Sequence, residues 1–299
     1  MCTVPAPAAA GSKLDGMREQ RGPVRLIASD MDGTIVGADN SISERTVRAF
    51  RACAAAGIDV VFVTGRPPRW LDPLRERIGH EGTVICSNGA ITYDLGAERV
   101  LSTRLLPLEQ MFAAAEVIRE LFPRARFAAE TVDGLHLEDG FVDTGSVELL
   151  GGIVPGPLDE SLKGQSGVAK FLARGTDISP DEFLRRVAPA VSELVETTHS
   201  APRMPLLEMS LPGLNKAATL AGYAKGKGIA AAQTIAFGDM PNDISMLDWA
   251  GRGYAMASGH QDARDAADAT APGFEDDGVA VILERLLDVR EGASEAGAR

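Results

Sequence analysis

A chain of 299 residues, 45% hydrophobic, 24% charged and 5% aromatic, has an ordinary globular composition and length for about two domains, with a core that needs no disulfide or metal staple. Its formal net charge of -12, from 30 Lys and Arg against 42 Asp and Glu, argues against nucleic acid or an anionic membrane as partner, since both want a basic face. It leaves room for a small anionic substrate, because a few local cations or a bound metal can invert the field at one site.

The first 23 residues are rich in Pro, Ala and Gly and lack both a basic start and a long apolar run, so they read as a disordered leader rather than a secretory signal. From Val24 the texture changes. "VRLIASD" predicts a strand, and "SISERTVRAFRACAAAG" predicts a helix with a capping box from Ser41 to Glu44 and a stop at Gly57. "IDVVFVTG" predicts a second strand, "PPRWLDPLRERIG" a helix opened by proline, and "GTVICSNGA" a third strand. Short runs apolar on both faces, alternating with helices, imply a parallel sheet covered on both sides.

Between about Thr92 and Leu206 the pattern loosens. "LPLEQMFAAAEVIRELFP" and "SPDEFLRRVAPAVSELV" predict amphipathic helices, while "RARFAAE", "GLHLED", "VAKFLAR" and "LVETTH" predict short strands. A Gly-rich loop, "LLGGIVPGPLDE", separates them. This is the texture of a small α+β unit with an antiparallel sheet. After Pro205 the first texture returns, with strands in "LLEMSL", "AQTIAFGD" and "RGYAM" and helices in "NKAATLAGYAKGKG", "MPNDISMLDWAG", "QDARDAADA" and "DDGVAVILERLLD". The expected architecture is α/β, a Rossmann-like parallel-sheet core at 24–91 and 207–289, interrupted by an inserted unit at 92–206 and followed by a flexible tail at 290–299.

Cys2, Cys53 and Cys86 are odd in number and form no CxxC, which suits reduced thiols in the cytoplasm. No run of 18 apolar residues is present, so no transmembrane helix is expected.

In parallel α/β sheets, ligands bind outside the carboxyl ends of the strands. Four polar sets fall there: Asp30, Asp32, Gly33 and Thr34; Thr64, Gly65 and Arg66; Lys216; and Gly238, Asp239, Asn242 and Asp243. If the strands are neighbours, all four meet in one crevice. Clustered carboxylates repel one another unless a divalent cation compensates them, and a few hard oxygen ligands suit Mg²⁺. Thr64 and Lys216 supply donors and positive charge for phosphate oxygens. An aspartate is then free to attack phosphorus.

The strings "DMDGT", "VTGR", "LNKAATL" and "FGDMPNDISML", in this order, resemble the four motifs of the haloacid dehalogenase-like (HAD) phosphatases. The long insert resembles a C2 cap, and "SNGA" with "EDDGVAVILERLL" resembles the Cof-type subfamily. The resemblance implies Asp30 as nucleophile and metal ligand, and Asp32 as general acid and then base, with its backbone carbonyl on the metal. It implies phosphate contacts from Asp30, Gly33, Thr64, Gly65, Lys216 and Asn242, and a Mg²⁺ site completed by Asp239 and Asp243. It also implies a cap closing over a small phosphorylated metabolite, such as a sugar phosphate, a nucleotide or pyridoxal phosphate. Two alternatives stand beside the phosphatase: a phosphomutase on a sugar phosphate, and a non-catalytic regulator that binds a metabolite phosphate. Intact Asp30, Asp32, Lys216 and Asp239 weigh against the second.

The chain departs from the family in having Ser258-Gly259-His260 where an MGNA-like turn is usual, and Pro272-Gly273 in place of a later SN. These changes spare the four motifs and alter the rim of the cleft. Arg66 is read as a partner for a carboxylate. His80, His136, His199 and His260 are scattered, and none has metal-ligand spacing. In the cap, Glu130, Asp133 and His136 are candidates for contact with substrate. Oligomeric state is not legible.

Overall fold

The computed structural model describes residues 23–142, 153–201 and 203–297. The expected leader before Pro23, Cys2 within it, and the last two residues of the expected tail lie outside the described residues.

Five strands open the chain: β1 (Leu26–Ser29), β2 (Asp59–Val63), β3 (Thr83–Cys86), β4 (Ile91–Asp94) and β5 (Arg99–Thr103). Five more follow: β6 (Arg126–Glu130), β7 (Leu135–Leu137), β8 (Lys170–Arg174), β9 (Glu196–Thr198) and β10 (Leu206–Ser210). The last three are β11 (Thr234–Gly238), β12 (Arg252–Met256) and β13 (Ala269–Ala271). They form an eight-stranded sheet of order β13-β12-β11-β1-β2-β3-β4-β5 and a five-stranded sheet of order β7-β6-β8-β10-β9. The first sheet is parallel from β13 to β3, with β4 and β5 as an antiparallel edge. The second is antiparallel throughout.

The parallel strands are apolar on both faces because helices cover both. Ile27, Phe62 and Phe237 pack on one side with Phe50 of α1 (Glu44–Ala55). Leu26, Ala28 and Val61 pack on the other with residues from three helices that follow the second sheet. β1 lies between β11 and β2, so the strand order reverses there, and the crevice outside its carboxyl end is where a ligand fits.

In the second sheet, Phe127, Phe171, Leu207 and Met209 face α2 (Leu108–Leu121) and α3 (Pro180–Val191), whose Ile118, Phe183 and Val187 complete a separate apolar cluster. Strand alternation then puts Glu130, Lys170 and Glu208 on the opposite face. Three further helices support the first sheet: α4 (Lys216–Gly226), α5 (Ile244–Trp249) and α6 (Gln261–Ala266). A last helix, α7 (Gly278–Gly297), continues through most of the stretch expected as a tail.

The structure redraws several expected boundaries. The first sheet runs past residue 92 because β4 folds straight back on β3, and Leu206–Ser210 joins the second sheet, pairing with β8 and β9. Helix α1 is capped by Ser43, whose hydroxyl accepts from the Thr46 amide, while the Ser41 hydroxyl donates to Asp39. The helix expected after Pro67 is split into a 3-10 turn (Pro68–Trp70) and one π-type turn (Leu74–Ile78); Pro73 between them has no amide to donate. The expected Gly-rich loop begins outside the described residues, at 149–152, and its end runs into a helical turn, Leu158–Ser161. No helix among the described residues is long and apolar enough to cross a membrane.

Candidate active site

Asp30 follows β1 directly, and its amide donates to the Phe237 carbonyl at 3.0 Å, so the central strand pair fixes its backbone. Lys216 is the first residue of α4. Its neighbour Asn215 caps that helix by accepting from the Ala218 amide, which turns Lys216 inward, fully buried. Its Nζ donates to Asp30 Oδ1 at 2.5 Å and to Asp243 Oδ1 at 2.6 Å. The second oxygen of Asp243 accepts from the amides of Asp239 and Met240 at 2.9 and 3.0 Å. Both Asp243 oxygens are thus engaged in orienting Lys216 and the loop after β11.

Asp30, Asp239 and Asp243 bring one carboxylate oxygen each within 4.8 Å of one another. Burial, then the charge of Asp243, lifts the Asp30 carboxyl to about 7 against the pull of Lys216. Asp239 is raised well above its ordinary value by burial and then by Asp30. Burial opposes the charge on Lys216, yet Asp243 and Asp30 more than offset it and hold the ammonium protonated. Three carboxylates against one lysine leave two negative charges uncompensated if all ionise, the imbalance a divalent cation would balance. Asn242 adds a buried Oδ1 without a partner. This donor set fits a hard cation. Gly33, at φ 75°, lets the loop turn back so that Asp239 lies where a side chain at Gly33 would stand. The Thr34 hydroxyl donates to Asp239 Oδ1 at 3.2 Å.

Asp32 has a half-exposed side chain and lines the same cavity as Asp30. Arg66 grips it with Nε at 2.9 Å and Nη2 at 2.6 Å, and also donates to Asn40 and the Trp70 carbonyl. Arg66 does pair with a carboxylate, and the carboxylate is Asp32. Thr64 is fully buried with its hydroxyl accepting from the Arg66 amide. The Gly33 amide donates to Val36 at 3.0 Å, so that donor is already committed within its turn.

Glu130, Asp133 and His136 do not line the cavity of about 240 Å³ beside Asp30. Glu130 is turned to Arg69, which grips both its oxygens; His136 lies on the edge strand β7. The second sheet contributes Lys170 and Glu208 instead, with Ser200 after β9. Lys170 Nζ donates to Glu208 at 2.9 Å and to the Gly65 carbonyl at 2.7 Å. Glu208 also accepts from Asn88 at 2.5 Å and from Ser200 at 2.7 Å. Asn88 in turn accepts from Asn242 at 3.2 Å, tying the roof of the cavity to its floor. Asn88 holds a left-handed backbone (φ 55°) next to Ser87 (φ 50°), costly for side chains of this kind and typical of a constrained site. The signal that could have found Lys170 and Glu208 is a lone charge inside an apolar strand, "VAKFLAR" and "LLEMSL". A second cavity of about 420 Å³, lined by Asn40, Arg69 and Asp72, shares Asp32, Arg66 and Trp70 with the first and opens it outward.

A family model described as haloacid dehalogenase-like hydrolase matches residues 27–283. Among curated proteins, the chain is 28% identical to the 5-amino-6-(5-phospho-D-ribitylamino)uracil phosphatase YitU of Bacillus subtilis, over 88% of this chain and 98% of that one. It is 25% identical to the pyridoxal phosphate phosphatase YbhA of Escherichia coli, over 78% of this chain and 88% of that one. Among solved structures, SMU.1108c of Streptococcus mutans superposes with a TM-score of 0.75 at 23% identity, covering 89% and 99% of the two chains.

Proposed function

The chain belongs to the haloacid dehalogenase-like hydrolase family, and we propose that it is a Mg²⁺-dependent phosphomonoester hydrolase with Asp30 as its nucleophile. The observation that carries the reading is the buried Asp30 carboxylate, held on one oxygen by Lys216 and flanked by Asp239 at the carboxyl end of the central strand.

In this reading the free Asp30 oxygen attacks phosphorus, the ester P–O bond breaks, and the leaving alkoxide takes a proton from Asp32. Water then attacks the aspartyl phosphate and gives a proton to Asp32, which releases phosphate and restores Asp30. Arg66 grips Asp32 through two hydrogen bonds, so in this reading Asp32 leaves that grip to meet the leaving group. Lys216 fixes Asp30 and balances charge as the phosphoryl group arrives, while Gly65 and Asn242 line its seat and buried Thr64 holds the Arg66 backbone behind it. Asp30, Asp239 and the Asp32 carbonyl would hold Mg²⁺, which when bound would neutralise charge on the transferring group.

We read the second sheet, with α2 and α3, as a cap over the cleft. The substrate is then a small phosphorylated metabolite. The cavity volume supports this, as do relatives named for a ribitylaminouracil phosphate and for pyridoxal phosphate.

The test is phosphate release from sugar phosphates, nucleotides and pyridoxal phosphate, with Mg²⁺ and with chelator, using the native chain and Asp30→Asn. Release that needs Mg²⁺ and vanishes in Asp30→Asn is expected, because an amide cannot serve as the nucleophile. Isomer formation without free phosphate would make the protein a mutase. Binding without turnover across the panel would make it a regulator.

A further inference from the structure

Asp181, His199 and His260 come from three separate stretches and meet where the second sheet's unit touches the first. Asp181 lies in the first turn of α3, His199 follows β9, and His260 caps α6 beyond β12. One ligand atom from each lies within 4.8 Å of the others. Asp181 Oδ1 is 3.0 Å from His199 Nε2 and 3.2 Å from His260 Nε2. The two rings stand at 84°, and both present the same nitrogen to one carboxylate oxygen. His199 is buried, His260 mostly so, and Asp181 largely exposed.

We propose that Asp181, His199 and His260 form a binding site for a first-row divalent ion, Zn²⁺ above all, that joins the cap to the parallel-sheet core. Two imidazole nitrogens and a carboxylate oxygen are donors that such ions prefer, whereas Mg²⁺ prefers oxygen alone. Neighbouring ligands of a tetrahedral Zn²⁺ sit about 3.3 Å apart at ordinary bond lengths, close to the separations already present. Exposure of Asp181 leaves the fourth position to water.

The protons balance without a co-reactant. With Asp181 ionised, each ring donates Nε2–H to it; on ligation that proton moves to Nδ1 of the same ring, which in His199 is buried without a partner among the described residues. Nδ1 of His260 now accepts from the Asp262 amide at 3.2 Å, and the Asp262 carboxylate, 3.8 Å away, becomes its acceptor after the shift. A bound ion would pin the cap against the core at a point outside the catalytic cluster and so restrain opening of the cleft.

The test is Zn²⁺ binding to the full chain under excess Mg²⁺, measured by competition with a chromogenic chelator, together with the visible spectrum of the Co²⁺-loaded protein. The native chain should take up a single Zn²⁺ and give the intense visible bands of four-coordinate Co²⁺. Asp181→Asn, at an exposed position, and His260→Asn, which keeps a side chain able to cap α6, should each bind more than about tenfold more weakly, since even outer partners of a metal site are worth that much. Their thermal unfolding in Mg²⁺ alone reports that the fold is intact. Absence of Zn²⁺ uptake by the native chain, or native affinity in either variant, would overturn the site.

Discussion

Asp30 is a buried carboxyl under electrostatic tension. A carboxyl pushed up to about 7 by burial and by Asp243 keeps its proton in the folded chain long after an unfolded chain has lost it. Without a cation, the fold therefore loses stability as pH rises from the ordinary aspartate range through about 7. A divalent ion favours the ionised form and must displace that proton at lower pH. The rise in melting temperature on adding Mg²⁺ should accordingly be larger at about pH 8 than at about pH 6; equal rises would contradict the assignment of Asp30 as a ligand. Asp32 raises a separate question, because Arg66 already engages both its oxygens. If it is the acid, Asp32→Asn should slow alkyl phosphates by about 100-fold or more and activated aryl phosphates much less, since a good leaving group needs little protonation. Equal losses on both would remove it from that role. The loop residues Asp30, Thr64, Lys216 and Asp239 were legible in the sequence because each stands at the end of an apolar strand or the start of a helix.

Single elements decide which charges face the cleft. In β8 and β10 the alternation that sends Phe171, Leu207 and Met209 into the apolar cluster turns Lys170 and Glu208 toward the loops that carry Asp30, Gly65 and Asp239. Burial would raise the Glu208 carboxyl, but Lys170, Ser200 and Asn88 outweigh it and hold Glu208 below its ordinary value. A depressed carboxyl contributes stability above the unfolded pKa, about 4.3, and loses it as pH falls through the folded one. Glu208→Gln should thus cost about 3 kcal/mol near neutrality, the low end for breaking a buried ion pair, and progressively less below about pH 4. Chemical denaturation across that range reads the difference, and a pH-independent loss would mean that Glu208 acts through packing alone. These strands were legible in the sequence; their facing was not. Glu130, Lys170 and Glu208 look alike as isolated charges until the pairing of β6, β8 and β10 gives them one face.

Among the described residues two larger apolar centres organise the molecule. One wraps the parallel sheet and the other lies between the antiparallel sheet and its helices. Phe171 stacks on Phe127 with ring centres 5.3 Å apart in the second centre, opposite the face that bears Lys170. Phe171→Ala should destabilise the chain by about 3–5 kcal/mol, the usual loss for an aromatic side chain deleted from a core. Urea unfolding measures it, and a loss below about 1 kcal/mol would show that this centre is loosely packed. Polar contacts join the two layers at Lys170 to Gly65, Glu208 to Asn88, Glu130 to Arg69 and Asp181 to His260, beside a small apolar contact of Ala169 with the first centre. Polar contacts can exchange with water, so this junction suits a cleft that opens and closes better than an apolar seam would.

By itself the sequence determined the class of fold, most of its elements other than β4, β5 and β13, and the four polar sets at the strand ends. These are local facts: an apolar run makes a strand, and a chain of parallel strands presents its loops on one edge. Only the tertiary structure decided that β4, β5 and β10 lie where they do, that Arg66 clamps Asp32, and that Lys170 and Glu208 roof the cavity. It alone brought Asp181, His199 and His260 to one point from three stretches with no metal-ligand spacing among them. Spacing along the chain reports neighbours only within an element, and these groups become neighbours because two sheets face each other.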